Sequence, residues 1–187
     1  MSDITERLDK LKAFIGSDSF LNGTGLSNEV NIQMFCYDPE DEIVVQNFTE
    51  RLMADKSLPC NLIEKNLFKV FLSICDDMGI TDQIPDMEKD AGKNYLLEQL
   101  NQFATNKDFV SKMDYQPHQK NDVILVTGVG DVFPFMRVHA LLDAMQPVFF
   151  DVPILVMYPG VFTGYNVSLF NKLKPNDMYR AFNTPID

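Results

Sequence analysis

A chain of 187 residues with 45% hydrophobic residues and fifteen Phe is long enough to bury roughly 70% of the surface its unfolded form exposes, so neither a metal nor a disulfide staple is required. Its 27 acidic and 16 basic residues give a net charge of −11, which argues against direct nucleic-acid binding, because that affinity comes mainly from Lys and Arg displacing counterions at phosphates. The three Cys, at 36, 60 and 75, are too few and too odd in number for a disulfide framework, which predicts a cytoplasmic protein. No stretch approaches the ~18 uninterrupted apolar residues of a membrane span, and the start has no apolar signal region.

In chain order, Asp3 to Ile15 sets Ile4, Leu8, Leu11 and Ile15 on one helical face, and a turn rich in Ser, Asn and Gly follows from Gly16 to Asn28. Residues 1–28 are therefore read as an N-terminal helical arm on a single α/β domain spanning 1–187. Val30 to Tyr37 is patterned as a strand, turning at Asp38 and Pro39 into a helix over Glu40 to Asp55, whose first-turn carboxylates suit the positive end of the helix dipole. Cys60 to Ile63 is a second strand. Leu67, Val70, Phe71, Ile74 and Met78 then mark a helix stopped by Gly79. Thr81 to Gly92 is polar, contains Pro85 and is expected to be a loop, and Asn94 to Met113 is expected to be one helix. After the connector Tyr115 to Asn121, the apolar run Val123 to Val126 ends in Thr127-Gly128-Val129-Gly130, the pattern of a strand buried on both faces. Phe135, Val138, Leu141, Leu142 and Met145 follow at helical spacing, and Ile154 to Tyr158 forms another buried strand before Pro159 and Gly160. Leu169 and Phe170 are assigned to a short helix or turn, and Tyr179 to Phe182 to a final strand.

Strands alternating with helices predict a three-layer α/β fold with a mostly parallel sheet of about four or five strands, a P-loop-like or Rossmann-like layout. Any site is then expected at the carboxyl ends of the strands. A Walker A motif is missing: around Gly92-Lys93-Asn94, Met87 stands where the first Gly belongs and Asn94 where a hydroxyl belongs. Gly128 and Gly130 lack the third glycine of a dinucleotide fingerprint, and Asp131 would repel a phosphate, so a tight turn is the better explanation. Arg137 and His139, two positions apart, do not share a helix face. The simpler role for them is a buried polar network, with Arg137 pinned to Asp131 or Asp38. His118 lies in a connector, and two His with scattered Cys give no metal-ligand spacing. Helix capping explains the acidic run Asp38 to Glu42 more simply than a cation site does.

As a set, Tyr37-Asp38-Pro39-Glu40-Asp41-Glu42, Thr127-Gly128-Val129-Gly130, Pro134, Arg137, His139, Leu141-Leu142, Gln146, Tyr158-Pro159-Gly160 and Tyr179-Arg180-Ala181-Phe182 resemble the BrxB family of bacteriophage exclusion (BREX) systems, in which bacteria methylate their own DNA and block phage replication. The resemblance runs from about Val30 to Phe182. The family often continues after the Pro-Gly with an acidic residue and an aromatic-Asp-Gly, where this chain has Val161, Phe162, Thr163 and Gly164. The resemblance implies a non-catalytic adaptor, without cofactor, that works beside a PglZ alkaline-phosphatase-like protein, a large ATPase and a DNA methyltransferase, with PglZ the first partner to test. Self-association is compatible with the same role. Candidate contact or network residues are Asp38, Asp131, Phe133, Arg137, His139, Tyr158, Phe162 and Arg180, with core packing the expectation for Phe135. The alternative is a nucleotide sensor or hydrolase with Thr127 and Arg137 on a phosphate and His139 as acid or base.

Overall fold

The computed structural model describes residues 3–23, 31–163, 166–173 and 182–186. Its centre is a parallel sheet of β1 (Ile32–Tyr37), β2 (Asn61–Asn66), β3 (Asp122–Thr127), β4 (Ile154–Phe162) and β6 (Phe182–Asn183), in the order β2-β3-β4-β1-β6. A short strand, β5 (Val167–Leu169), pairs antiparallel with the far end of β4. This is the expected α/β architecture with a mostly parallel sheet.

Because side chains alternate across a strand, the central strands feed two cores at once. Met34 and Cys36 of β1, Ile124 and Val126 of β3, and Ile154 and Val156 of β4 face one side. There they meet α4 (Leu67–Asp77), α6 (Lys93–Phe103), α7 (Asn106–Met113) and α8 (Val138–Met145). Phe35, Val123, Leu125, Leu155 and Met157 face the other side, against α1 (Ile4–Ile15), α2 (Asp18–Leu21) and α3 (Glu42–Ala54). Both faces are covered, so all six residues of β1 and of β3 are buried, including the polar Gln33 and Asp122. Asp122 is held at the start of β3 by hydrogen bonds from Asn61 Nδ2 at 2.9 Å, Tyr115 Oη at 3.0 Å and the Gln119 amide at 2.9 Å.

Of the segment read as an N-terminal arm, the described residues 3–23 are built into the second core. Leu11 and Ile15 of α1 have no exposure, and Leu8 and Phe20 are buried beside them. The apolar stripe that suggested an amphipathic helix is the face that closes one side of the sheet.

Four other expectations are corrected. Thr81–Gln83 forms a 3-10 turn and Ile84–Ala91 forms α5, rather than a loop. Pro85 lies in the first turn of that helix, where its missing N–H is no loss. The single helix expected over Asn94 to Met113 is two, α6 and α7, because Thr105 caps α7 through a reciprocal capping box with Asp108. Pro159 and Gly160 do not end β4, which continues to Phe162 and pairs Gly160 with Leu169. Leu169 accordingly lies in a strand and not in a helix. A Cβ on Gly160 would run into the Ser168 carbonyl and stand 2.8 Å from Tyr158 Cε1, so the close pairing of β4 with β5 needs glycine there. Of the final strand expected over Tyr179 to Phe182, Phe182 pairs with Gln33 in β6, and Tyr179 to Ala181 lie outside the described residues.

Candidate functional site

Chain exits at the carboxyl end of the sheet diverge. β1 leads through a 3-10 turn at Pro39–Asp41 into α3 on one face, while β2 leads into α4 on the other. Divergent exits open a crevice between them, and here it is a cavity of about 460 Å³ lined from six elements, α4 contributing Lys69. Tyr37 and Met157 come from the ends of β1 and β4, Glu64 and Asn66 from β2, and Thr127, Gly128 and Asp131 from β3 and its turn. The opposite wall is α3, with Glu42, Val45, Gln46, Thr49, Glu50 and Met53.

Several of these side chains are fixed by one another. The Tyr37 phenol donates to Glu42 Oε2 at 2.7 Å, and Gln46 Nε2 donates to Glu42 Oε1 at 3.0 Å. Burial, reinforced by the Glu42 carboxylate, pushes the Tyr37 phenol far above its ordinary range. Across the crevice, the Thr127 hydroxyl donates to Glu64 Oε1 at 2.6 Å. Asn66 caps α4 by accepting from the Lys69 amide at 3.1 Å. The turn after β3 presses on that cap: Gly128 has φ +68°, and a Cβ there would sit 2.8 Å from Asn66 Oδ1.

The lining is acidic. Glu42, Glu50, Glu64 and Asp131 face the cavity with Lys69 as the one cation among the described lining residues. A phosphate would meet net repulsion there. Among the described residues, no group of three or more His, Cys, Asp or Glu is placed to hold a metal.

The sequence-predicted residues are dispersed around this crevice rather than gathered in it. Thr127 and Asp131 line it. Asp38 is exposed at the start of the 3-10 turn, where its carboxylate accepts from the Glu40 amide at 3.0 Å and from Asn171 Nδ2 at 3.3 Å. Phe133 is half-buried, edge-on to Phe170 with ring centroids 6.2 Å apart. Arg137 is exposed immediately before α8, so it is not part of a buried network, and no ion pair joins it to Asp131 or Asp38 among the described residues. Val138 takes the inward position instead. His139 is half-buried in the first turn of α8, and neither it nor Arg137 lines the cavity. Tyr158 is a core residue whose phenol is pushed upward by burial, and Phe162 is half-buried beside the same core. Phe135 stacks on Phe71 at 4.5 Å, as core packing requires. Arg180 lies outside the described residues.

Sequence reasoning missed Gln46, Thr49, Glu50, Glu64 and Asn66 as site residues. Glu64 and Asn66 carry a usable signal, since they directly follow Cys60 to Ile63, where the pattern predicts a strand, and β2 runs on through them to Asn66. The α3 residues carried none, because their role depends on which strand ends α3 packs across.

Fold and crevice together define a three-layer α/β protein with an open strand-end site that lacks a phosphate-binding loop. The family model described as "BREX protein BrxB" matches residues 63–184. A curated BREX protein BrxB of Bacillus cereus (strain H3081.97) is 34% identical, over 97% of this chain and 97% of its own length. Another, of Escherichia coli O9:H4 (strain HS), is 28% identical over 94% of this chain and 88% of its own length. The chain belongs to the BrxB family of BREX proteins, which places it in BREX phage defence. No solved structure matches it. Among the described residues, no helix is long and apolar enough to cross a membrane.

Proposed function

We propose that this chain is a non-catalytic adaptor of a BREX system that docks a larger protein of the same system, the PglZ-like phosphatase-fold protein first, with the ATPase and methyltransferase as further candidates. The observation that carries the reading is the chemistry of the crevice. Its position is the one nucleotide-binding α/β proteins use, yet four carboxylates oppose one lysine in its lining. The hydroxyl of Thr127 is engaged by Glu64 instead of being free for a phosphate. The proposed sensor or hydrolase needs Thr127, Arg137 and His139 at one point, and the last two stand outside the cavity. A surface of this kind suits protein recognition, where complementary charge steers encounter and sets specificity.

The test is capture of each protein of the same operon by the purified chain, with a thermal-shift panel of nucleotides beside it. A stoichiometric complex with the PglZ-like protein and no nucleotide shift is expected. A nucleotide shift without any captured partner overturns the adaptor role and makes the crevice a ligand site.

A further inference from the structure

The crevice contains a polar group that the fold leaves unused. Thr49 lines the cavity with only 7% of its surface exposed, and no hydrogen bond to its hydroxyl occurs among the described residues. Its Oγ1 is not one of the buried side-chain atoms left without a partner, which among the described residues are Gln33 Oε1 and Thr184 Oγ1, so the hydroxyl is open to the cavity and available to a ligand. Glu50, next to it on α3, and Asp131, across the crevice, are both exposed, and neither makes an ion pair among the described residues. On the same helix, Ile43 is 72% exposed. Ile43 shares a helical face with Gln46 and Glu50, at spacings of three and seven residues. Acceptors inside and an exposed apolar side chain on the same helix face describe a receptor for a donor-rich cation carried on a peptide.

The geometry points to the crevice as a binding site for an arginine-bearing segment of a partner protein, its guanidinium seated among Glu50, Asp131 and the Thr49 hydroxyl. Guanidinium presents five N–H donors in a planar fork and accepts nothing, so it can serve two carboxylates and a hydroxyl together. It is also more weakly hydrated than an ammonium and loses less on entering a half-closed site. A cavity of about 460 Å³ admits more than one side chain, and an apolar residue beside the arginine would cover Ile43. The chain's net charge of −11 would draw such a segment in. The site deepens the adaptor reading by stating what the docked protein must offer, and it rests on that reading.

The first experiment titrates the full-length protein with a hexa-arginine peptide at about 0.15 M salt, following backbone amides by NMR. Saturable shifts of Gln46, Thr49 and Gly128 are expected, with hexa-lysine weaker by about threefold or more. The E50K/D131K double variant should bind about tenfold more weakly, while D86K/E98K, on α5 and α6 with the same change in net charge, should stay within about twofold. Thr49→Val should weaken binding by a factor of about three without changing the fold. Equal losses in the two double variants, equal binding of hexa-lysine, or shifts centred elsewhere overturn the site. The crevice assignment also fails, and the adaptor reading stands, if a BREX protein is captured equally well by E50K/D131K and the native chain. Hexa-arginine binding in the crevice without capture of any BREX protein has the opposite meaning: it supports the site and defeats the adaptor reading.

Discussion

Gly128→Ala tests whether the turn after β3 and the cap of α4 form one mechanical unit. At φ +68° an alanine costs about 1–2 kcal/mol against glycine, because its Cβ crowds the following carbonyl. That Cβ would also lie 2.8 Å from Asn66 Oδ1 and 3.0 Å from Nδ2, closer than side chains tolerate. Asn66 can retreat only by releasing the Lys69 amide, and losing an N-cap costs about 1 kcal/mol. The sum is about 2–3 kcal/mol, or a fall in melting temperature of roughly 5–10 °C for a domain of this size. Asn66→Ala alone loses only the cap, about 1 kcal/mol. In the double variant the clash is gone and the cap is lost once, so the total should again be about 2–3 kcal/mol, below the sum of the single effects. Urea denaturation of the four proteins measures this directly, provided the m-value is unchanged. Strict additivity, or a Gly128→Ala variant within about 0.5 kcal/mol of native, refutes the coupling.

Leu11→Ala should cost about 2–5 kcal/mol, because Leu11 is fully buried; a detachable arm would leave the urea midpoint unchanged. Arg137→Ala should alter stability by no more than about 0.5 kcal/mol, and a loss of several kcal/mol by the same measurement would restore the buried network. The phenols of Tyr37 and Tyr158 are raised above the ordinary value of 10.0, so the folded state holds their protons more tightly than the unfolded state does. Their contribution to stability is complete below about pH 10 and is lost as pH rises above it, at up to about 1.4 kcal/mol per pH unit for each phenol. In a spectrophotometric titration they should ionise only as circular dichroism reports unfolding, and ionisation of all six tyrosines near pH 10 with native dichroism would contradict this.

Local pattern carried most of the fold. Short continuous apolar runs such as Val123 to Val126 announce strands covered on both faces, and the heptad-like spacing in α1, α4 and α8 announces their helices. Errors arose where a local signal has two meanings. Pro85 can mark a loop or a first helical turn, and Pro159-Gly160 can end a strand or let a second backbone approach it. Gly128 and Gly130 illustrate the same limit: the sequence marks a tight turn at both, but only packing distinguishes them. Gly128 is needed for its positive φ, whereas Gly130 lies where a Cβ would stand 3.0 Å from the Phe170 ring.

By itself, then, the sequence determined the class of fold and, through a dispersed set of residues, the family, and it predicted that any site lies at the strand ends. Tertiary structure alone decided the content of that site. Thr49 and Glu50 on α3, Glu64 and Asn66 on β2, and Asp131 after β3 are far apart in the chain. They meet because β1 crosses to the far edge of the sheet through α3 before the chain returns strand by strand from β2 to β4. Periodicity specifies which face of an element is buried, but the partner across a crevice follows from strand order, which no local pattern encodes.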